Sequence, residues 1–465
     1  MGGVFGLAAA ITLAFSPGAH AADEGLPLRV GVRGGDVDQV EIDRNQASWS
    51  GLEAPRAPGS VELRWHLQGE PGGRAIELPV CAGRGAVALD GVPVAAPDAG
   101  PFLVPLSAGE HLLSLRVTVS SYERRIACGA PPRLGISDAT REGLLRFIFP
   151  SPHASAGGGQ AVVFVPPGHY GTKPGALLLL LHPWNGSIWT YAAYAELLDE
   201  AAKRDVVLLL PSGLGNSLYT APAEDEALRA LDALASHLAI DRSRVSIAGA
   251  SMGGAGATTI GLHVPDRFAS ITSFFGDSKY DLGTYVKAIL RDEAGAHRVN
   301  ALDVVENARG IPVWLIHGED DRVSPIAQSE ILAQALERRG YAVRFDRVPG
   351  MGHAGALFAR YARELVEKAS TARAVEHPAR VSYRSVRAGD RGAYGVSFAR
   401  IHSGDAFIDV ERTSDGSIRV RSAENVAAIA LAPGALGAQP GAAIATAPAA
   451  AGVRVTWGAL ESGAR

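Results

Sequence analysis

Arg244-Val-Ser-Ile-Ala-Gly-Ala-Ser-Met-Gly-Gly-Ala255 is the stretch on which the reading of this chain turns. Residues 244–248 form a short apolar run of strand type, and residues 254–262, rich in Gly, Ala and Thr, read as a helix of small residues. Between them, Gly249-Ala-Ser-Met-Gly253 matches the sharp strand-to-helix turn that lifts a serine hydroxyl clear of a sheet. Gly249 and Gly253 have a steric purpose there, since a Cβ at either position is expected to meet the adjoining strand or helix.

A serine hydroxyl is a poor nucleophile until a base takes its proton, and that base needs a carboxylate to hold its tautomer. Both partners follow downstream. The apolar run 311–316 opens into His317-Gly-Glu-Asp-Asp-Arg-Val-Ser-Pro325, and the strand-like run 342–348 opens into Pro349-Gly-Met-Gly-His-Ala354. Serine, acid, then histidine, with the last two each just past a strand, is the chain order such a turn requires. Ser251 is therefore read as nucleophile, His353 as general base and acid, and Asp320 or Asp321 as the orienting carboxylate. His317 is expected to close its strand by hydrogen bonding to backbone. His263 and His297 stand in no motif and read as structural or exposed. One oxyanion-hole donor is expected from the Met252 N–H, the residue after the nucleophile.

From about residue 161 to 369 the chain resembles the α/β-hydrolase branch that holds secreted poly(hydroxyalkanoate) depolymerases, feruloyl and acetylxylan esterases and prolyl-oligopeptidase-like hydrolases. Leu181-His-Pro-Trp-Asn-Gly186, Leu210-Pro-Ser-Gly213, Ile240-Asp-Arg-Ser-Arg-Val245, Gly249-Ala-Ser-Met-Gly-Gly254, His317-Gly-Glu-Asp-Asp321 and Gly352-His353 carry that resemblance. It implies an α/β fold with a doubly wound, mostly parallel sheet. The superfamily pattern His-Gly-x-x-Asp places the acid fifth, which selects Asp321 over Asp320. His182-Pro-Trp-Asn-Gly-Ser187 resembles the His-Gly-x loop of secreted esterases, with Pro183 where Gly usually stands. Pro183 has no N–H to give, so Trp184 is the expected second oxyanion donor. Trp184 and Trp189 also read as pocket walls or as core packing.

The intervening segments fit an alternating strand and helix pattern. Residues 192–203, 222–238 and 326–339 carry apolar side chains at helical spacing, the last stopped by Gly340. Val206-Val-Leu-Leu-Leu210 is a continuous apolar run, typical of a strand covered on both faces. The looser stretch 275–300 reads as an insertion over the active-site face, in which Asp277, Lys279 and Asp281 are either substrate contacts or a solvated charged loop.

The ends read differently. Residues 1–21 are expected to be a secretory signal, with an apolar stretch at 4–15 and Ala19-His-Ala21 as the cleavage site, which makes the mature protein secreted or periplasmic. Residues 22–135 alternate in short β-type segments broken by turns such as Asp90-Gly91, and resemble jelly-roll sandwiches of the galactose-binding type. Cys81 and Cys128, the only two cysteines, are expected to form one disulfide, stabilising this region by about 4 kcal/mol. The catalytic region is placed at 136–375. Residues 376–465 are expected to form a β-rich accessory domain, with 432–452 as a long Ala-, Gly- and Pro-rich loop.

With 465 residues, 47% of them hydrophobic, the chain has enough material for three such domains. A net charge of −4 without a basic stripe argues against nucleic acid. No apolar stretch is long enough to span a membrane. Neither a zinc motif nor a dinucleotide-binding glycine loop occurs, so no metal and no cofactor are expected. The expected activity is a secreted serine carboxylester hydrolase acting on extracellular esters, either acyl or feruloyl groups on polysaccharide or a polyester. A prolyl-oligopeptidase-like peptidase or amidase is the alternative within catalysis, although the region before residue 136 is too short for a propeller at ~40–50 residues per blade. A protein that kept the fold for binding and lost the chemistry is the third reading.

Overall fold

The computed structural model describes residues 174–283 and 286–459, residues 143–149, 151–153, 159–166 and 169, and, before these, a set of β-strands with the turn at 90–91. The expected signal at 1–21 and the Cys81–Cys128 pair lie outside the described residues.

Eight strands build the central sheet: β1 (Gly143–Phe149), β2 (Gly159–Val165), β3 (Gly175–Leu181), β4 (Val206–Pro211), β5 (Ile240–Ala250), β6 (Ser270–Phe274), β7 (Val313–Gly318) and β8 (Val343–Val348). Their spatial order is β8-β7-β6-β5-β3-β4-β2-β1, and the short strand Gly100–Pro101 adds to the β1 edge. Strands β3 to β8 pair in parallel, while β2 runs against both of its neighbours. Every residue of β3 and of β4 is buried, which is why both are continuous apolar runs instead of alternating ones.

The two faces of β3 feed two cores. Leu177, Leu179 and Leu181 pack with helices α2 (Ala221–His237), α3 (Met252–His263) and α6 (Ala327–Glu337). Leu178 and Leu180 pack with α1 (Ala195–Arg204) and α7 (Gly355–Thr371). From β3 the chain goes outward to β4, then crosses back to β5 on the other side of β3. That reversal is the topological switch point at which open α/β sheets bind their ligands.

The segment after β6 is tied into the larger core instead of riding free above the sheet. Tyr280, Val286, Leu290, Ala296 and Val299 are buried there, along the short helices α4 (Lys287–Leu290) and α5 (Glu293–His297). The loose pattern reflects two helices of four and five residues, too short to show a periodicity.

Before residue 143 the described strands form one six-stranded antiparallel sheet and two two-stranded ribbons. Beyond α7, two four-stranded sheets enclose a common core that includes Val381, Tyr383, Phe398, Ile408, Val420 and Ile429. Within the expected loop at 432–452, Ile444–Thr446 is a strand that pairs in parallel with Ile418–Glu424. Its Ala- and Gly-rich flanks hid it, because the pairing satisfies the open backbone edge of a neighbour distant in sequence.

This C-terminal β region is fastened to the catalytic region by buried polar groups. Arg387 bonds Glu224 of α2 at 2.7 and 3.1 Å, and Asp390 accepts from His263 Nδ1 of α3 at 3.0 Å. Tyr383 donates its hydroxyl to the His263 carbonyl at 2.7 Å, and Asn307 donates to the carbonyls of Leu262 and Arg384. At the rim, His297 lies between Asp303 (2.9 Å) and Asp405 (2.9 Å). Partial burial works against the charged imidazole, but the two carboxylates outweigh it and raise the His297 pKa above 6.5. A raised folded value means that this bridge stabilises fully below the unfolded pKa and is lost as pH rises through the folded one. His297→Gln is therefore expected to lower Tm at about pH 5.5 and to match the parent at about pH 9. An equal deficit at both pH values, measured by thermal unfolding, would refute the electrostatic origin.

Candidate active site

The carboxyl ends of β5, β7 and β8 bring the sequence-predicted residues together. β5 ends at Ala250, and Ser251 caps α3 with φ +56° and ψ −121°, a conformation that a non-glycine residue rarely adopts. Two backbone bonds hold it there: Ser251 N donates to the Phe274 carbonyl at 2.8 Å, and Ala255 N to the Ser251 carbonyl at 2.9 Å. The turn is possible only because its flanks lack side chains. A Cβ on Gly249 would stand 2.3 Å from the Gly253 oxygen, and one on Gly253 would stand 1.8 Å from the Leu181 oxygen. Both contacts are to backbone, which has nowhere to yield. Gly253→Ala is expected to cost about 3 kcal/mol, measured by denaturant unfolding; a loss below about 1 kcal/mol would mean that the turn relaxes.

His353 lies on the turn after β8, with Nε2 2.8 Å from Ser251 Oγ and Nδ1 2.7 Å from Asp321 Oδ2. Phe275 seats the imidazole edge-on, 4.6 Å between ring centres. Asp321 follows β7, its side chain fully enclosed. Its other oxygen accepts from the Val323 and Ser324 amides at 2.8 and 2.9 Å. Burial pushes this carboxyl up, but the hydrogen bonds from His317 and His353 win, and its pKa falls well below the usual carboxylate range. Asp320, in contrast, is exposed, and its amide is taken by the Met351 carbonyl.

His317 is fully buried, with Nδ1 2.8 Å from Ser329 Oγ, Nε2 2.8 Å from the Ser324 carbonyl and 3.4 Å from Asp321. It thus braces the loop of the acid rather than only ending its strand. Asp277, singled out in the sequence for its place after β6, accepts from Ser324 Oγ at 2.6 Å, and burial raises its pKa. It belongs to the surroundings of Asp321, whereas Lys279 and Asp281 are exposed.

Met252 is the first residue of α3, where backbone N–H groups have no partner one turn earlier in the helix. Trp184 lies half-buried against the larger core, in the turn closed by Gly186 N to the Pro183 carbonyl at 2.8 Å. The buried His182 ring pins that turn, 2.8 Å from both the Pro183 and the Ser212 carbonyls. Burial lowers the His182 pKa, against the two carbonyl contacts that favour its protonated form. Because Gly253 rests against the Leu181 and His182 carbonyls, the start of α3 and the loop bearing Trp184 are immediate neighbours. Trp189 packs against the smaller core. Among the described residues no group of three or more His, Cys, Asp or Glu forms a metal-binding cluster.

Comparison with known proteins bears on the same region. Residues 220–371 match the family model described as the prolyl oligopeptidase family. A 120-residue stretch is 30% identical to the S-formylglutathione hydrolase of Paracoccus denitrificans (strain Pd 1222), covering 24% of this chain and 43% of that protein. The chain thus spans less than half the length of the curated relative it matches. Among solved structures, an S-formylglutathione hydrolase from Agrobacterium tumefaciens aligns at TM-score 0.43 and 20% identity over 51% of this chain and 98% of that one. A ferulic acid esterase aligns at TM-score 0.44 and 18% identity over 50% and 98%. Strand order, a serine turn at the end of β5 and the Ser–His–Asp contacts agree with the family match: the catalytic region is an α/β-hydrolase of the serine hydrolase class.

Proposed function

We propose that this protein is an exported carboxylester hydrolase in which Ser251, His353 and Asp321 act as a catalytic triad. The observation that carries the reading is the continuous hydrogen-bonded chain from Ser251 Oγ through the His353 ring to the enclosed Asp321 carboxylate. Ser251 Oγ attacks the ester carbonyl carbon while its proton passes to His353 Nε2. The oxyanion rests on the Met252 and Trp184 amides. His353 then protonates the departing alcohol, leaving an acyl-enzyme. A water deprotonated by His353 attacks the acyl carbon, the acid leaves, and Ser251 recovers its proton. Asp321, kept ionised by its hydrogen bonds, holds the imidazole and stabilises its charged form.

The substrate class in this reading is an extracellular ester, an acyl or feruloyl group on polysaccharide or a polyester chain. The two β-rich flanking regions act as accessory units, with the C-terminal one locked to the catalytic region through Glu224, His263 and Asn307. The test is kcat/KM on p-nitrophenyl acetate, butyrate and octanoate. A steep fall with acyl length is expected, and no turnover on any of the three would remove the ester reading. The match of residues 220–371 to the prolyl oligopeptidase family favours a second reading, a peptidase or amidase. Faster turnover of a prolyl p-nitroanilide than of the acetate ester would put that reading first.

A further inference from the structure

We propose that Tyr191 is a positioning residue whose hydroxyl sets the spacing between the nucleophile turn and the oxyanion loop. The proposal rests on the serine hydrolase reading above, since both groups gain their meaning from it.

Tyr191 lies in the short helical turn Thr190–Ala193 and is 1% exposed, among the largest fully enclosed side chains described. Its hydroxyl donates to the Leu181 carbonyl at 2.8 Å and accepts from the Ala250 N–H at 3.0 Å. Leu181 is the last residue of β3 and leads directly into the loop bearing Trp184. Ala250 is the last residue of β5 and leads directly into Ser251. Leu181 pairs with Gly249 in the parallel ladder, so the hydroxyl bridges the two strands just where their chains part. These two strand ends flank the topological switch point of the sheet.

A hydroxyl suits the place because it gives one proton and takes another. A direct amide-to-carbonyl bond at this level would draw the two strand ends together. The inserted oxygen instead holds them apart at a fixed spacing and satisfies both buried backbone groups. The ring has little freedom to move. It packs 4.5 Å from Phe358, which packs 4.9 Å from Phe274, the residue whose carbonyl receives Ser251 N. The Leu181 carbonyl also abuts Gly253, so Tyr191 touches the same atom that sets the start of α3. Removing the hydroxyl leaves Leu181 O and Ala250 N to pair with each other or with water. Either outcome moves Ser251 Oγ relative to the amides that receive the oxyanion. Misplacement of about 1 Å costs on the order of a hundredfold in rate.

Tyr191→Phe is accordingly expected to lower kcat on p-nitrophenyl acetate by about 10- to 100-fold, with KM changed by less than about threefold. The rate of fluorophosphonate labelling at Ser251 should fall in parallel. Tyr383→Phe is the control: it removes an equally enclosed hydroxyl, on the His263 carbonyl, away from the strand ends. It should lower Tm comparably and leave kcat within twofold. A second variant, Phe358→Leu, keeps the hydroxyl but loosens the ring that seats it, and is expected to show a smaller loss confined to kcat. Tyr191→Phe with parental kcat, or Tyr383→Phe with an equal kcat loss, overturns the proposal. If Tyr191→Phe does not fold, an unchanged kcat in Phe358→Leu overturns it instead. Parent protein that neither turns over ester nor labels at Ser251 overturns the serine hydrolase reading and this inference together. An active parent with an unaffected Tyr191→Phe sinks only the inference.

Discussion

Ser251→Ala is expected to lower kcat by about 10⁶, the scale seen when the nucleophile of a triad acting as one unit is removed. The size follows from the geometry. His353 is bonded to both neighbours at once, with the serine hydroxyl 2.8 Å on one side and the carboxylate 2.7 Å on the other. Without the hydroxyl, the ring and the acid have nothing to activate but water, and only the oxyanion donors and binding remain to act on the substrate. The variant should stay folded, since Ser251 is held by its backbone bonds to Phe274 and Ala255 rather than by its side chain. The change removes one exposed-side hydroxyl and relieves no packing. Steady-state turnover of the preferred p-nitrophenyl ester, with unfolding followed alongside, measures both quantities. A loss of less than about tenfold would show that turnover does not pass through Ser251.

Asp321→Asn is expected to cost on the order of 10⁴ in kcat. The amide keeps the size of the side chain but presents an N–H where His353 needs an acceptor, favouring the wrong tautomer of the ring. The same variant should be less stable than the parent at neutral pH. Hydrogen bonds depress the folded pKa of Asp321, so its carboxylate contributes stability above the unfolded pKa, and that contribution is lost as pH falls through the folded value. The stability deficit of Asp321→Asn should therefore narrow in acid. Asp320→Asn, at an exposed side chain, is expected to leave kcat within about twofold. A larger loss from Asp320→Asn than from Asp321→Asn would reverse the assignment of the acid.

Much of the site was legible because its signals are local. The turn at Gly249–Gly253 needs two residues without side chains beside backbone, and that demand is written in five consecutive positions. Continuous apolar runs mark β3 and β4 because both faces of a strand inside a doubly wound sheet are covered. The order serine, acid, histidine places each group at the end of its own strand. The exposed-or-enclosed choice between Asp320 and Asp321 was not local. The residues themselves allowed either, and resemblance to a superfamily pattern made the selection.

Other features had no such signal. Tyr191 is an aromatic residue in an unremarkable stretch, and its two partners lie 10 and 59 positions away. Asp277 read as either a substrate contact or a solvated charge until Ser324, 47 positions on, was placed against it. Arg387 and Glu224 are 163 positions apart. The strand Ile444–Thr446 carried too few β-forming residues to show itself, and only its partner's open edge made it one.

The sequence by itself determined the parallel strands β3, β4, β5, β7 and β8 and the helices α1, α2, α3 and α6, where the chain must turn without side chains, and which three residue types stand at the strand ends. Those properties follow from the burial and steric demands of a few neighbouring residues. Only the tertiary structure decided which buried hydroxyl bridges β3 and β5, what holds Asp277, and how the C-terminal sheets are fastened to α2 and α3. Each of these is a hydrogen bond between groups far apart in the chain. Its existence depends on the packing that brings the partners within about 3 Å, and no local pattern encodes that distance.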